Sequence, residues 1–330
     1  RRRLWPSPPP PPKPSSASGS GSGASAAQLP PAQSMISAPS RPLLMSLHAP
    51  PARSLGTPIF TEPSDDFLRH FEEHGYAVLK GVLGSQAAQN NFLQGFWQAM
   101  TTIMPSLDPK RRETWIFPKG FRGIITTYGL PHADFAWAVR SAPRIREAFA
   151  RIFGTEDLVV SLDAVIAQEG VSKSKLPPWL HKDQRPDHTG LSVQAVYTHF
   201  ASGPQDAGTC VVPGSHKVTY SWERGAKSDH LKMPLDCNLQ AIKPDMPADS
   251  VIFFNSRLVH ASVCGQGHAR VHSTIEGLPR PARLGVCVAY APRSRRSEAT
   301  RRRKESVYLE GKCSSHWPCD SFSVKPPPRH

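Results

Sequence analysis

Two imidazoles and one carboxylate are the residues of this chain best suited to chemistry. The segment Trp179-Leu180-His181-Lys182-Asp183-Gln184 sets an imidazole and a carboxylate two residues apart, just ahead of a run that reads as a β-strand. Much later, His260 closes Asp249-Ser-Val-Ile-Phe-Phe-Asn-Ser-Arg-Leu-Val-His, an apolar strand followed by a turn. Two histidines and one carboxylate can occupy one face of an iron(II) ion and leave its other positions open for a co-substrate and oxygen. The expected metal ligands are therefore His181, Asp183 and His260, and the chain reads as an oxygenase rather than a binding module.

A lone His-x-Asp is weak evidence in a chain with 14 histidines. A second copy, His132-Ala133-Asp134, opens a helical segment, where Asp134 serves as a first-turn acid favoured by the helix dipole; it is set aside as a metal site. The bland reading of the first copy is a solvated loop with a surface ion pair, and that of His260 is a buried histidine bonded to backbone. Cys313-Ser-Ser-His316-Trp-Pro-Cys319 offers only three soft ligands in a Pro-rich tail and is not expected to hold zinc.

The elements that must position these groups follow from periodicity. Ser64-Asp65-Asp66 caps a short amphipathic helix that ends near Gly75, and a strand follows at Tyr76 to Leu79. Ser85 caps a longer helix with Phe92, Leu93, Phe96, Trp97 and Met100 at helical spacing. Pro131 to Phe153 is helical, interrupted near Pro143 and closed by Gly154. Beyond it the period changes. Leu158 to Ile166, Leu191 to Phe200, Thr209 to Val212, Ser250 to Phe254 and Leu284 to Tyr290 all read as strands. Helices first and strands afterwards predict an α+β fold, with helices outside a β-sandwich or barrel-like core.

Composition divides the chain into residues 1–55, a Pro/Ser/Gly-rich tail expected to be disordered, a folded domain over 56–310, and a C-terminal tail over 311–330. The net charge of +14 sits mostly in the two ends. Residues 1–60 hold six Arg/Lys and no acid, and residues 293–330 hold ten against four acids, so the middle is nearly neutral. Neither basic run is interleaved with aromatics that could stack on bases, which argues against a dedicated nucleic-acid surface. Six scattered cysteines without a C-x-x-C pair suit reduced thiols in an intracellular, cytoplasmic protein. The acid-free, Arg- and Ser-bearing N-terminus also has the composition of an organelle transit peptide. No run has the apolar length of a membrane span.

Arg283 opens the apolar strand Arg-Leu-Gly-Val-Cys-Val-Ala-Tyr-Ala-Pro. A guanidinium projecting into such a core needs an anionic partner, and a dicarboxylate supplies one through a bidentate pair. With this the set of motifs becomes specific. Phe71-Glu-Glu-His-Gly-Tyr-Ala-Val-Leu-Lys-Gly-Val-Leu, Trp-Leu-His181-Lys-Asp183-Gln, Gly208-Thr-Cys-Val-Val-Pro-Gly-Ser-His216-Lys, Asp249-Ser-Val-Ile-Phe-Phe-Asn, His260-Ala-Ser262 and the Arg283 strand occur in order over roughly residues 60 to 310. Together they resemble the phytanoyl-CoA dioxygenase family of iron(II)/2-oxoglutarate oxygenases.

The resemblance implies a double-stranded β-helix (jelly-roll) core with flanking helices. It implies Fe(II) on His181, Asp183 and His260, with oxygen and 2-oxoglutarate as co-substrates. Ser262 and Arg283 would hold the far carboxylate of 2-oxoglutarate. The family usually sets this arginine about ten residues after the distal histidine, where Arg270 stands, so Arg270 is the alternative; preferring Arg283 makes Gly265 to Pro281 an inserted loop. In the family, halogenating relatives replace the carboxylate with a small residue, so Asp183 favours hydroxylation. The expected partner is a small organic substrate, for which Pro118-Lys119-Gly120-Phe121-Arg122, the loop after Trp115, and the Trp179 region are candidate mouth residues, with ordinary surface loops as the bland reading. The competing readings are a non-catalytic jelly-roll protein and a nucleic-acid or membrane-surface binder acting through the basic tails.

Overall fold

A computed structural model describes residues 56–320 apart from 119, 121–122, 170–178, 204–205, 235–236, 238, 264–273 and 276–277, together with strand residues 52–53. Apart from residues 52–53, the tail expected over 1–55 lies outside the described residues, as do most of the Gly265 to Pro281 insertion and Arg270.

The first half is mainly helical. After β1 (Ala52–Arg53) and β2 (Ile59–Phe60) comes α1 (Asp65–His74). The Ser64 side chain accepts from Phe67 N at its start, and Gly75 at φ 80° ends it. A side chain at Gly75 would collide with His216 and Leu258, so the turn demands glycine for space as well as for φ. β3 (Tyr76–Lys80), α2 (Gln86–Ile103) and β4 (Ile124–Ile125) follow. The helical stretch expected over 131–153 is two helices, α3 (Asp134–Arg140) and α4 (Pro143–Phe153), broken where Pro143 starts the second.

The second half supplies most strands. The expected strand over 158–166 is split into β5 (Leu158–Val160) and β6 (Val165–Gln168). Then come β7 (His181–Lys182), β8 (Val193–Thr198), β9 (Gly208–Val211), β10 (Leu231–Lys232), β11 (Ile242–Lys243), β12 (Ser250–Asn255) and β13 (His260–Val263). The short hairpin β14 (Thr274–Ile275) and β15 (Leu278–Pro279) precedes the long β16 (Arg283–Pro292). These build a six-stranded sheet in the order β1-β11-β9-β13-β7-β10 and an eight-stranded one in the order β2-β3-β12-β8-β16-β6-β4, with β5 also on β16.

Alternation along the strands decides what each face meets. From the eight-stranded sheet, Ala195, Tyr197, Val251, Phe253, Val286 and Val288 join Phe67, Phe92, Phe96, Phe135 and Phe149 of the helices in the main core. The intervening Val78, Ile166, Val196, Ile252 and Phe254 form a second cluster with Val211 and Ile242 of the six-stranded sheet. The fold is α+β, with two sheets sharing an inner layer and helices covering one of them.

The basic run from Arg293 to Lys304 is mostly in α5 (Glu298–Leu309), whose Lys304 and Val307 are buried. The chain stays packed past the expected boundary at 310. Lys304 Nζ donates to Ser314 Oγ (2.7 Å) and Trp317 O (2.8 Å), and Cys313 and Trp317 are buried. Among the described residues no helix is long and apolar enough to cross a membrane.

Candidate metal centre

The six-stranded sheet brings the predicted ligands together. β13 runs antiparallel to β7 with His260 directly opposite His181. Directly opposed residues face the same side of a sheet, and the two rings stand 4.3 Å apart, centroid to centroid. Asp183 lies two residues from His181, hence on the same face. His181 Nε2 lies 3.5 Å from Asp183 Oδ1, and His260 Nε2 lies 3.3 Å from Asp183 Oδ2. All three side chains are buried.

Backbone carbonyls set both imidazoles. His181 Nδ1 donates to Trp179 O and His260 Nδ1 to Leu258 O, each at 2.9 Å. A carbonyl only accepts, so Nδ1 of each ring carries a proton and Nε2 of each is turned to Asp183. Burial, then the neighbouring His260, pushes the His181 pKa down to about 3, so this ring is neutral near pH 7. Burial alone would raise the Asp183 pKa, but His181, His316 and hydrogen bonds from the adjoining histidines outweigh it and hold the carboxyl well below its usual range. A buried carboxylate with two imidazole Nε2 atoms turned to it offers an N,N,O donor set that suits a divalent transition metal.

Arg283 reaches the same inner layer from the other sheet. Its guanidinium donates from Nη1 to Ser262 Oγ (2.6 Å) and from Nη2 to Thr209 Oγ1 (3.2 Å). Ser262 and Thr209 are register partners on β13 and β9, and Ser262 is two residues beyond His260. A buried cation with two hydroxyls thus stands one strand repeat from the imidazole and carboxylate cluster.

Two neighbours of the cluster, His230 and Gln194, carried no signal in the sequence. His230 Nδ1 is 3.2 Å from Asp183 Oδ1, and ligand atoms of His181, Asp183 and His230 all lie within 4.8 Å of one another. Gln194, on β8, donates from Nε2 to Asp183 Oδ2 (2.9 Å) and to Ser256 Oγ (3.2 Å). On the outer face, Lys182 pairs with Glu223 at 2.7 Å, both side chains almost fully buried.

The other candidates lie elsewhere. His132 is a buried structural histidine whose Nε2 meets Lys312 O at 2.6 Å. Cys313 Sγ is directed to Asp163 O and Cys319 Sγ to Pro292 O, so they do not converge on one ion. Of the candidate mouth loop over 118–122, residues 119, 121 and 122 lie outside the described residues; Trp115 and Phe117, which precede it, are buried against Trp97 in the main core. Trp179 does flank the cluster, stacked on His181 at 4.4 Å.

Residues 71–264, more than half of the chain, match the phytanoyl-CoA dioxygenase (PhyH) family. The chain belongs to this family. Among curated proteins, this PhyH family member is similar to Ava biosynthesis cluster protein O of Aspergillus versicolor, with 26% identity over 232 residues, covering 63% of this chain and 75% of that one. Among solved structures it is similar to the non-heme alpha ketoglutarate dependent carbocyclase SnoK from nogalamycin biosynthesis (15% identity, TM-score 0.49, 69% of this chain and 83% of that one). It is also similar to HygX from Streptomyces hygroscopicus with nickel and 2-oxoglutarate bound (16% identity, TM-score 0.46, 70% and 87%). Family membership rests on the sequence match and not on these structural likenesses.

Proposed function

We propose that this PhyH family member is an iron(II)/2-oxoglutarate-dependent oxygenase that hydroxylates a small organic molecule, built on a double-stranded β-helix core. The observation that carries the reading is the shared face of His181, Asp183 and His260, with two backbone-locked imidazoles aimed at one buried carboxylate. These three would hold the metal, and Arg283 with Ser262 would take the far carboxylate of 2-oxoglutarate. The two face-sharing sheets are what such a core requires.

When bound, iron(II), 2-oxoglutarate and oxygen supply an oxidant able to hydroxylate an unactivated C–H bond, with release of succinate and carbon dioxide. The chain's own part is placement. Strand-borne imidazoles fix the metal, and Gln194 orients the carboxylate through Asp183 Oδ2. Phe254, whose ring lies 4.5 Å from that of His260, helps keep water out of the inner layer. Arg283 orients the co-substrate from the far end through a charge-assisted pair.

Anaerobic addition of iron(II) and 2-oxoglutarate tests this directly. A weak visible charge-transfer band is expected for the wild type and none for His181→Ala. Oxygen should then yield succinate. A protein that binds only zinc, with no band and no succinate, would return the chain to the non-catalytic reading.

A further inference from the structure

We infer that His230 is a positioning residue that fixes the rotation of the Asp183 carboxylate, so that the acid meets the metal in one orientation. The inference rests on the oxygenase reading and deepens it.

The backbone makes the placement. β10 pairs antiparallel with β7, with Lys232 opposite His181 and Leu231 opposite Lys182. Continuing that ladder by one residue puts His230 opposite Asp183, on the same face. The side chains follow, with Nδ1 of His230 3.2 Å from Oδ1 of Asp183. Trp179 props the imidazole in place: its ring lies 4.4 Å from that of His230 and 4.4 Å from that of His181, and Lys232 Nζ lies over it at 5.5 Å.

The donors around Asp183 leave His230 a specific task. Among the described residues, four side chains approach the two carboxylate oxygens. His181 and His260 commit Nδ1 to backbone carbonyls and turn Nε2 to the carboxylate, the nitrogen that would face the metal, so neither would have a donor left for Asp183 once a metal is held. The side-chain donors are then Gln194 on Oδ2 and His230 on Oδ1. One N–H on each oxygen fixes the carboxylate plane, whereas Gln194 alone would leave it free to turn about its Cβ–Cγ bond. In this role His230 donates from Nδ1 to Asp183 Oδ1 and acts through that carboxylate instead of joining it as a ligand, although its ligand atom lies near enough to those of His181 and Asp183 to share an ion with them.

The test measures anaerobic iron(II) affinity by titration and uses cobalt(II) to report coordination through its visible bands. His230→Ala should weaken iron(II) binding about 10- to 100-fold, the usual cost of losing a ligand's hydrogen-bond partner. His230→Asn, whose amide N–H can replace Nδ1–H, should recover affinity to within roughly 3-fold of wild type. Both variants should keep the wild-type cobalt(II) band positions, and far-UV circular dichroism should report an unchanged fold. Wild-type affinity in His230→Ala would overturn the proposal. So would altered cobalt(II) bands with no recovery in His230→Asn, which would make His230 a ligand. If the wild type itself bound no iron(II) and gave no co-substrate band, the oxygenase reading would fall, and this inference with it.

Discussion

Asp183 and Arg283 separate two tasks that a single activity assay would merge. Asp183 is the negative charge among the clustered imidazoles, and Asp183→Asn removes it at nearly constant shape. Iron(II) affinity should drop by two orders of magnitude or more, as expected when a charged ligand becomes neutral, while circular dichroism stays unchanged. Arg283→Met keeps the apolar stem on β16 and deletes the fork that meets Ser262 and Thr209. Loss of a buried charge-assisted pair costs roughly 2–5 kcal/mol, so the KM for 2-oxoglutarate should rise about 30-fold or more. Iron(II) affinity in that variant should not change, and a parallel loss of both would place Arg283 in the metal's support instead. The residues that could be read beforehand were those with a local motif: His181 and Asp183 by spacing, His260 by ending an apolar strand, Arg283 by opening one. His230 and Gln194 had none, because each reaches Asp183 only through pairing that the sequence does not encode nearby.

Two of the strands around the metal cluster, β7 and β10, are among the shortest in the molecule, which is why they were hard to foresee. β8, β12 and β16 have alternating or apolar runs of six to ten residues and match their expected positions to within a few residues. β7 and β10 are two residues each, set among Pro, Asp, Ser and His. Tertiary pairing, not propensity, makes them strands. Something must hold β7 in register, and Lys182 is placed to do so. Its ammonium donates to Val218 O (2.7 Å), pairs with Glu223 (2.7 Å) and lies 4.9 Å from the Tyr220 ring, tying the 215–223 segment to the back of the metal strand. Burial lowers the Lys182 pKa, opposed by Glu223. Lys182→Met should therefore cost about 3–5 kcal/mol in urea unfolding, because Glu223 is left charged and buried. Lys182→Met combined with Glu223→Leu should recover most of that, since an apolar pair of similar volume does not need the counter-charge. If the double variant is no better than the single, the strand depends on the specific hydrogen bond to Val218 O and not on charge balance.

At the scale of the whole molecule, the helices and the eight-stranded sheet hold a buried histidine, His199, and a half-buried one, His70, whose neutral forms the fold favours. His199, on the segment leaving β8, is 4% exposed, stacked on Phe92 of α2 at 4.7 Å and close to the Tyr197 hydroxyl at 3.2 Å. Burial, then the nearby Arg280, lowers its pKa from 6.5 to about 4. His70 on α1 is also lowered to about 4, by burial and by His74, against Glu73. In the unfolded chain both rings would take up protons near pH 6.5, whereas in the native protein they resist until about pH 4. The unfolded state therefore binds more protons throughout that interval, and native stability falls as pH drops across it. The contribution is fully present above pH 6.5 and is gone below about pH 4. For His199 the loss is on the order of 3 kcal/mol. His199→Phe keeps an aromatic ring against Phe92 without a titrating group, so between pH 7 and pH 4 the metal-free variant should lose about 3 kcal/mol less stability than wild type in urea titrations. Parallel curves for the two proteins would mean that His199 is protonated in the native state, and that the junction of helices and sheet tolerates a charge that its packing argues against.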